Sequence, residues 1–330
     1  MPLNTKITRL FGIKHPIIQG GMHFVGYAPL AAAVANAGGL GLVTALTQPS
    51  AELLEAEINK AKALLKPNCT GKVGVNLTIL PMFKSVDYSK YVEVIVKSGV
   101  DVVETAGRPP GEFIEEFKKH GIKIIHKCVT TRHAKSAQKM GADAISLDGF
   151  ECAGHPGEED IGNFILQAMG ARDLTVPYVA SGGIATGRQL AAALTLGASG
   201  VNMGVRFMAT KEAPIHENIK QALVAGSAAD TTLVMRSVKN TERVYKNAVV
   251  EKVLQLENQF PGDFSKIHEY VKGENYRKSF QETGDINSSV WSCGPAMALI
   301  DEVLTCEQLI EGMVKDAEMA LTEALQQIEH

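Results

Sequence analysis

Eight short apolar segments alternate with helical segments between residues 15 and 207, and this alternation restricts the fold more than any other feature. Each apolar segment is rich in Val, Ile and Leu, as are strands that are buried on both faces of a parallel sheet. We predict strands over residues 15–21, 40–45, 72–79, 101–107, 123–128, 143–149, 176–183 and 200–207. Eight strand–helix units predict an α/β fold, the closed (β/α)8 TIM barrel. A doubly wound open sheet is the alternative, because alternation alone does not establish closure.

The strand–helix alternation stops after residue 209. Residues 214–289 contain helical stretches separated by polar turns, and residues 294 to 329 again have helical periodicity. We therefore predict that residues 1–213 together with 290–330 form the barrel. Residues 214–289 are expected to form a smaller helical cap subdomain, inserted after the eighth strand.

Composition excludes several classes of partner. The 330 residues carry 33 Lys and Arg against 36 Asp and Glu, interspersed, so no basic stripe predicts nucleic-acid binding. The longest apolar stretch, residues 30–46, is shorter than a membrane span and is interrupted by glycines. Five widely spaced cysteines without a CxxC pair indicate reduced thiols in a cytoplasmic protein, and no metal site.

Glycine-bearing turns follow the last two predicted strands. Ser181-Gly182-Gly183 ends the seventh strand, and Gly204-Val205 ends the eighth. In TIM barrels the loops after these two strands often bind phosphate through backbone N–H groups and a helix N-terminus. Glycine lets the backbone approach the anion closely. The pair of turns predicts a phosphate-bearing ligand.

Other strand ends favour a flat heterocycle as the rest of that ligand. Gly21 and Met22 offer an open backbone surface and a flexible thioether, and the Asn76 amide both donates and accepts hydrogen bonds. Lys127 would place a cation where it stabilises negative charge on a reduced ring. An isoalloxazine requires this combination. The competing interpretation is that Asn76 and Lys127 only cap strands and face solvent.

Seven stretches of the chain carry a family resemblance: PIIQGGMHFVGYAPLAAAVANAGGLG, VNLTIL, VVETAGRPPGEFI, IHKC, SLDGFECAGHPGEED, VASGGIATGRQLAAALTLGA and VNMGVRFMATKEAPIH. In this order they resemble the FMN-dependent nitronate monooxygenases, formerly called 2-nitropropane dioxygenases. The CAGHPGE loop is most similar to the branch associated with NADH:quinone reductases. The FMN-dependent enoyl-acyl-carrier-protein reductases are a neighbouring branch that shares the barrel.

The resemblance implies a TIM barrel with a helical second domain and non-covalently bound FMN. By motif, the cofactor would be bound by Gly21, Met22, His23, Asn76, Lys127, Asp148, Ala153, Ser181, Gly182, Gly183, Gly204 and Val205. Two positions depart from the family pattern. Val205 stands where the family commonly has Thr, so a hydroxyl to the phosphate is lost. His23 stands where the close branch tends to have Gln, which adds a titratable group.

His155 is the predicted catalytic residue. It follows the sixth strand between small residues, and an imidazole there can take a proton from a carbon acid or hydrogen-bond a quinone oxygen. A loop histidine that only faces water is the alternative. The acids Glu158, Glu159 and Asp160 are expected at a helix N-terminus, where they favour the helix dipole.

Several activities follow from this site. The first is hydride transfer from NAD(P)H through FMN to a quinone, and the second is oxidation of alkyl nitronates by O2 with His155 as base. An enoyl-acyl-carrier-protein reductase and a non-redox phosphate-binding barrel complete the set. The PPGE turn at 109–112 is a candidate contact for the nicotinamide cofactor. The expected partners are small molecules, and a homodimer is compatible with the sequence.

Overall fold

Eight parallel strands close into a barrel in the computed structural model of the chain, which describes residues 3–79 and 86–328. The strands are β1 (Ile17–Gln19), β2 (Leu40–Thr44), β3 (Lys72–Ile79), β4 (Val102–Gly107), β5 (Lys123–Cys128), β6 (Ala144–Asp148), β7 (Tyr178–Ser181) and β8 (Val201–Met203). They pair in chain order, and β8 pairs with β1 from Ile17–Val201 to Gln19–Met203. The predicted TIM barrel is confirmed, and the open sheet is excluded.

The first, seventh and eighth strands are shorter than predicted, and residues 205–207, which were predicted to end the eighth strand, begin a short helix, Val205–Met208. Pro16 precedes β1 and Pro177 precedes β7, and proline has no N–H for a ladder hydrogen bond. After β7 the chain turns at once, because Gly182 and Gly183 have left-handed φ angles of 86° and 72°. The turn residues that the pattern included in the strand therefore face the barrel opening.

Helices surround the barrel and follow its strands. They are α1 (Lys6–Phe11), α2 (Ala28–Asn36), α3 (Ala51–Ala63), α4 (Tyr88–Ser98), α5 (Gly111–Lys119), α6 (Thr131–Met140), α7 (Asn163–Asp173), α8 (Gly187–Thr195) and the short α9 (Val205–Met208). Ile7 and Phe11 of α1 pack in one cluster with Ile18, Leu40 and Val102, which lie at or near the amino ends of their strands. Helix α1 thus closes the amino-terminal end of the barrel, and the carboxyl end stays available for a site.

The chain after β8 forms a cap and a final helix. It contains α10 (Glu217–Ala225), β9 (Thr231–Val234), β10 (Glu242–Tyr245), α11 (Ala248–Gln259), α12 (Gly273–Lys278) and α13 (Cys306–Gln326). Helix α13 packs so closely on α8 that a Cβ at Gly187 would lie 2.2 Å from the carbonyl oxygen of Met313. The tail therefore joins the outer ring of helices. None of the helices in the described ranges has the length and apolar composition needed to cross a bilayer.

The cap is not wholly helical, which corrects the sequence prediction. Strands β9 and β10 form a two-stranded antiparallel sheet. Met235 and Lys239, between them, have positive φ angles of 61° and 54°. Each strand has only four residues, too few for its alternation to be distinguished from a loop. The sheet and α11 share a small core of their own around Val234, Val244 and Val250.

Candidate active site

A cavity of about 200 Å³, partly open to solvent, lies at the carboxyl ends of the strands. All predicted cofactor-binding residues except Asn76 line it: Gly21, Met22, His23, Lys127, Asp148, Ala153, Ser181, Gly182, Gly183, Gly204 and Val205. The cap closes one side of the cavity with Tyr276 and Phe280. Closure of the barrel thus brings residues that are distant in sequence together around this cavity.

A buried carboxylate organises the floor of the cavity. Glu104 on β4 is fully buried, and its Oε2 accepts hydrogen bonds from the Gly21 N–H at 3.0 Å and the Asn76 amide at 2.7 Å. Its Oε1 accepts from the Asn202 amide at 2.8 Å. Asn76 therefore lies beneath Gly21, with its oxygen accepting from the Thr78 hydroxyl at 3.1 Å. Its solvent-facing alternative is excluded, because only 2% of Asn76 is exposed.

The predicted cation is paired with the predicted aspartate. Lys127 Nζ lies 3.3 Å from Asp148 Oδ2, and the other Asp148 oxygen accepts from the Ser146 hydroxyl at 3.0 Å. Burial lowers the pKa of Lys127, but the carboxylates of Asp148 and Glu104 outweigh burial and keep this pKa above its ordinary value. Lys127 is therefore a permanent cation at the cavity wall.

The turn after β7 is held in a shape that only glycine allows. A Cβ at Gly182 would lie 2.7 Å from the Cβ of Cys152, and one at Gly183 would lie 2.8 Å from the Cβ of Glu151. The carbonyl oxygens of the turn accept from side chains behind it. The Asn163 amide donates to Ser181 and Gly182, and the Gln189 amide donates to Gly183 at 2.6 Å.

The N–H groups of these turns are left for a ligand. Within the described residues, those of Gly182, Gly183 and Gly204 donate to no protein acceptor. Gly204 precedes α9, and the side chain of Val205 in the first turn of α9 is buried. Unpaired N–H groups around a cavity are the donors that a phosphate requires, so the residues present fit a phosphate.

His23 joins the loop after β1 to the cap. Its Nδ1 lies 2.6 Å from the Tyr276 hydroxyl, and its ring stacks on Phe24 at 3.8 Å between centroids. His23 is an exposed residue, and desolvation by the protein packed around it lowers its pKa to about 4. His23 is therefore neutral near pH 7, and its contact with Tyr276 is a neutral hydrogen bond.

His155 lies in a groove beside the main cavity. The groove shares Gly21, Lys127, Asp148 and Ala153 with the cavity, so the two spaces adjoin. The imidazole is exposed, and Asn76 also lines this groove. The structure therefore places the predicted catalytic residue next to the cavity instead of inside it.

The cap sheet holds the loop that carries His155. Glu158 accepts from the N–H and the hydroxyl of Thr241, at 2.9 and 2.6 Å. Arg243 exchanges backbone hydrogen bonds with Gly154, and its guanidinium donates to the Phe150 carbonyl at 3.0 Å.

The acids of this loop are not at a helix N-terminus, which corrects the sequence prediction. Helix α7 begins only at Asn163, whose N–H donates to Glu151. Asp160 instead forms an ion pair with Arg236. Glu158 and Asp160 therefore fasten the loop to the cap, a long-range contact that local helix signals do not report.

The residues of the site that were not predicted include Glu104, Asn202, Tyr276 and Phe280. A glutamate inside an otherwise apolar strand was the one signal available for Glu104, since buried carboxylates need partners. Tyr276 and Phe280 line the cavity from the cap. The contact between cap and barrel joins residues that are far apart in the chain, so local sequence patterns do not predict it. Sequence pattern alone therefore misses the cap side of the site.

The comparisons with known proteins identify the family of the chain. The family model for nitronate monooxygenase matches residues 4–80 and 66–316. The chain belongs to the nitronate monooxygenase family. As a member of this family it is an oxidoreductase, and the family resemblance seen in the sequence is confirmed.

Individual relatives of this family member differ in their names. The (3aS,4S,5R,7aS)-5-hydroxy-7a-methyl-1-oxo-octahydro-1H-indene-4-carboxyl-CoA dehydrogenase of Rhodococcus jostii is 31% identical, over 96% of each chain. A "Probable nitronate monooxygenase" of Staphylococcus saprophyticus is 27% identical, over 96% of this chain and 98% of the relative. The structure of FabK from Thermotoga maritima superposes with a TM-score of 0.85 at 30% identity, covering 99% and 98% of the chains.

Proposed function

We propose that the chain is an FMN-dependent oxidoreductase that passes hydride from NAD(P)H to a quinone. One observation carries the proposal: the unpaired N–H groups of Gly182, Gly183 and Gly204 line the same cavity as the permanent cation Lys127. Bound FMN supplies hydride transfer, which no amino-acid side chain performs. The two ends of this cavity match the two ends of that cofactor, a phosphate and a ring that becomes anionic on reduction.

The residues of the chain bind and orient the cofactor. In this proposal Gly182, Gly183, Gly204 and Val205 bind its phosphate through their N–H groups, and Ser181 lies beside them. The ring region is formed by Gly21, Met22, His23, Ala153 and Lys127. Asp148 keeps Lys127 charged and directed. Asn76 acts through Glu104, which holds the N–H of Gly21.

The groove with His155 is the proposed route for the second substrate. It adjoins the ring region at Lys127 and Ala153 and opens to solvent. A quinone is flat and has hydrogen-bond acceptors at its edge, and an exposed imidazole can donate to such an oxygen. We assign His155 this role toward the acceptor.

Two other activities have specific support. Alkyl nitronate oxidation is favoured by the family description and by the staphylococcal relative's name, with His155 taking the proton. Redox chemistry on a thioester is favoured by the Rhodococcus relative, whose name specifies a carboxyl-CoA substrate. An enoyl-acyl-carrier-protein reductase would belong to the same chemical class.

The test is an anaerobic absorbance titration of the FMN-loaded protein. Under the proposal, NADH or NADPH bleaches the flavin band promptly and a quinone restores it. His155→Ala slows restoration by the quinone by about tenfold or more, the usual scale of a lost acid, base or hydrogen bond. His120→Ala, an exposed histidine at the carboxyl end of α5, is the matched control. A flavin that ignores both nucleotides but is bleached by propionate nitronate overturns the proposal in favour of nitronate oxidation.

A further inference from the structure

The groove beside the cavity leads to a basic face on helix α6. Ser136 lines the groove, and it also lines a shallow surface depression with Arg132, Lys135 and Lys139. These three cations occupy positions i, i+3 and i+7 of one helix, so they share a face. A molecule that reached from the ring region along the groove would therefore arrive at this face.

The cations of this face are available to a ligand. All three side chains are exposed, and none forms an ion pair with a carboxylate in the described residues. Many other surface lysines and arginines are paired, including Lys97 with Glu93 and Arg277 with Glu274. Three unpaired cations at the outer end of an active-site groove form a local positive field in a chain whose net charge is −3.

One carboxylate, Asp173, also lines the depression. It is bound by Arg172 at 2.7 Å, and that hydrogen bond, with a smaller effect of Lys135, lowers its pKa to about 2. Its charge is thus matched by Arg172, which is not among the three cations of the α6 face. The net charge of the face stays positive.

We propose that the face formed by Arg132, Lys135 and Lys139 binds the phosphates of a substrate that carries adenosine diphosphate. The rest of that substrate extends along the groove past His155 to the ring region at Lys127. Arg and Lys are the side chains that recognise phosphate, and Arg132 can bind two phosphate oxygens at once. The inference rests on the proposed function, because it places the substrate that function needs.

Two kinds of molecule share this chemistry. NAD(P)H and CoA thioesters both contain an adenosine 5′-diphosphate, and both join it to a reactive end through a chain of several ångströms. In NADPH the additional phosphate is on the ribose 2′ oxygen, and in CoA it is on the 3′ oxygen. The position of that third phosphate distinguishes the two sources.

The experiment measures binding to the FMN-loaded protein by calorimetry. The probes are ADP, 2′-phospho-ADP and 3′-phospho-ADP, which all keep the 5′-diphosphate and differ only in the third phosphate, and the variant is Arg132→Glu with Lys135→Glu. The matched control is Lys60→Glu with Lys252→Glu, which makes the same charge change on α3 and α11 at exposed, unpaired positions. We expect the α6 variant to bind the nucleotide at least tenfold more weakly, and the control to bind it as the parent does. Added salt should weaken binding to the parent far more than to the variant.

The outcomes are separable from failure of the proposed function. Tighter binding of 2′-phospho-ADP identifies the substrate as NADPH, tighter binding of 3′-phospho-ADP identifies it as a CoA thioester, and equal binding of all three indicates NADH. If NADPH fails to bleach the flavin but 3′-phospho-ADP binding is lost in the α6 variant, the proposed hydride donor is wrong and the α6 site stands. If no nucleotide binds, or if both variants bind equally, the α6 site is wrong whatever the flavin does.

Discussion

A single buried carboxylate connects the barrel floor to the ligand cavity. Glu104 has no solvent exposure, so its burial would destabilise the fold if any of its hydrogen-bond donors were missing. Its three donors come from the loop after β1, from β3 and from β8, so it joins strands on opposite sides of the barrel. Glu104 also adds to the negative field that keeps Lys127 charged. One residue thus supports both the shape and the charge of the site.

Glu104→Gln should therefore be costly although it is nearly isosteric. Glutamine has one acceptor oxygen, and its NH2 group would face an N–H donor that would then have no acceptor. We expect a loss of about 1–3 kcal/mol in the free energy of unfolding, the cost of an unsatisfied buried group. Urea denaturation measures it. Glu115→Gln, an exposed site on α5, is the control. An equal effect at both positions would contradict the role of Glu104.

His126 should make stability depend on pH. It is buried on β5, with Nδ1 2.9 Å from the Thr105 hydroxyl, and burial lowers its pKa from 6.5 to about 4. Between these values the unfolded chain binds the proton and the folded chain does not. The contribution of neutral His126 to the free energy of unfolding is complete above pH 6.5. It is lost as the pH falls toward 4, at up to about 1.4 kcal/mol per pH unit. His126→Gln should reduce the slope of unfolding free energy against pH in this window, while His120→Gln should not. An unchanged slope in His126→Gln would contradict the assignment.

At the scale of elements, the turn between β7 and α8 is the feature most sensitive to substitution. Gly182→Ala should lower FMN affinity by at least about tenfold, because alanine is strained at φ 86° and its Cβ would meet Cys152 at 2.7 Å. Flavin fluorescence during FMN titration measures this affinity. Gly312→Ala on α13 is the control, since its Cβ meets nothing within 4 Å and alanine favours a helix. Retained FMN affinity in Gly182→Ala would argue against a phosphate at this turn.

The sequence predicted the elements better than the contacts between them. Eight buried strands could be counted because each is a continuous apolar run between helices. The β9–β10 sheet could not, because four-residue strands at the surface carry too short a pattern. For Asn76, residue type indicated a polar role, but the geometry directs its amide to Glu104. That choice depends on which strands become neighbours when the barrel closes.

At the scale of the whole molecule, the buried apolar residues of the described ranges form four clusters, of which the largest and the smallest include cap residues. The large core continues from β7, β8 and α13 into the cap through Phe280, Trp291 and Met297. Trp291 is fully buried and stacks on Tyr245 at 4.4 Å, which joins β10 to this core. The smaller core, around Val234, Val244 and Val250, lies entirely in the cap sheet and in the segments around α11. A small core supports less stability, so this part of the cap should open without the barrel.

The loop with His155 should open together with the cap sheet, because its attachments are to that sheet. The Gly154 N–H donates to the Arg243 carbonyl, and the Thr241 N–H donates to Glu158. In native-state hydrogen exchange we expect these two amides to share one opening free energy, below that of the β6 amides of Ile145 and Leu147. Glu158→Gln should lower the opening free energy of both loop and sheet by about 1 kcal/mol and leave β6 unchanged, since it weakens a charged hydrogen bond. Were Gly154 to exchange with the β6 amides instead, the loop would belong to the barrel, and the cap could move without displacing His155. Since His155 lines the groove that leads to α6, shared opening of loop and cap would make substrate entry and positioning of the imidazole one event.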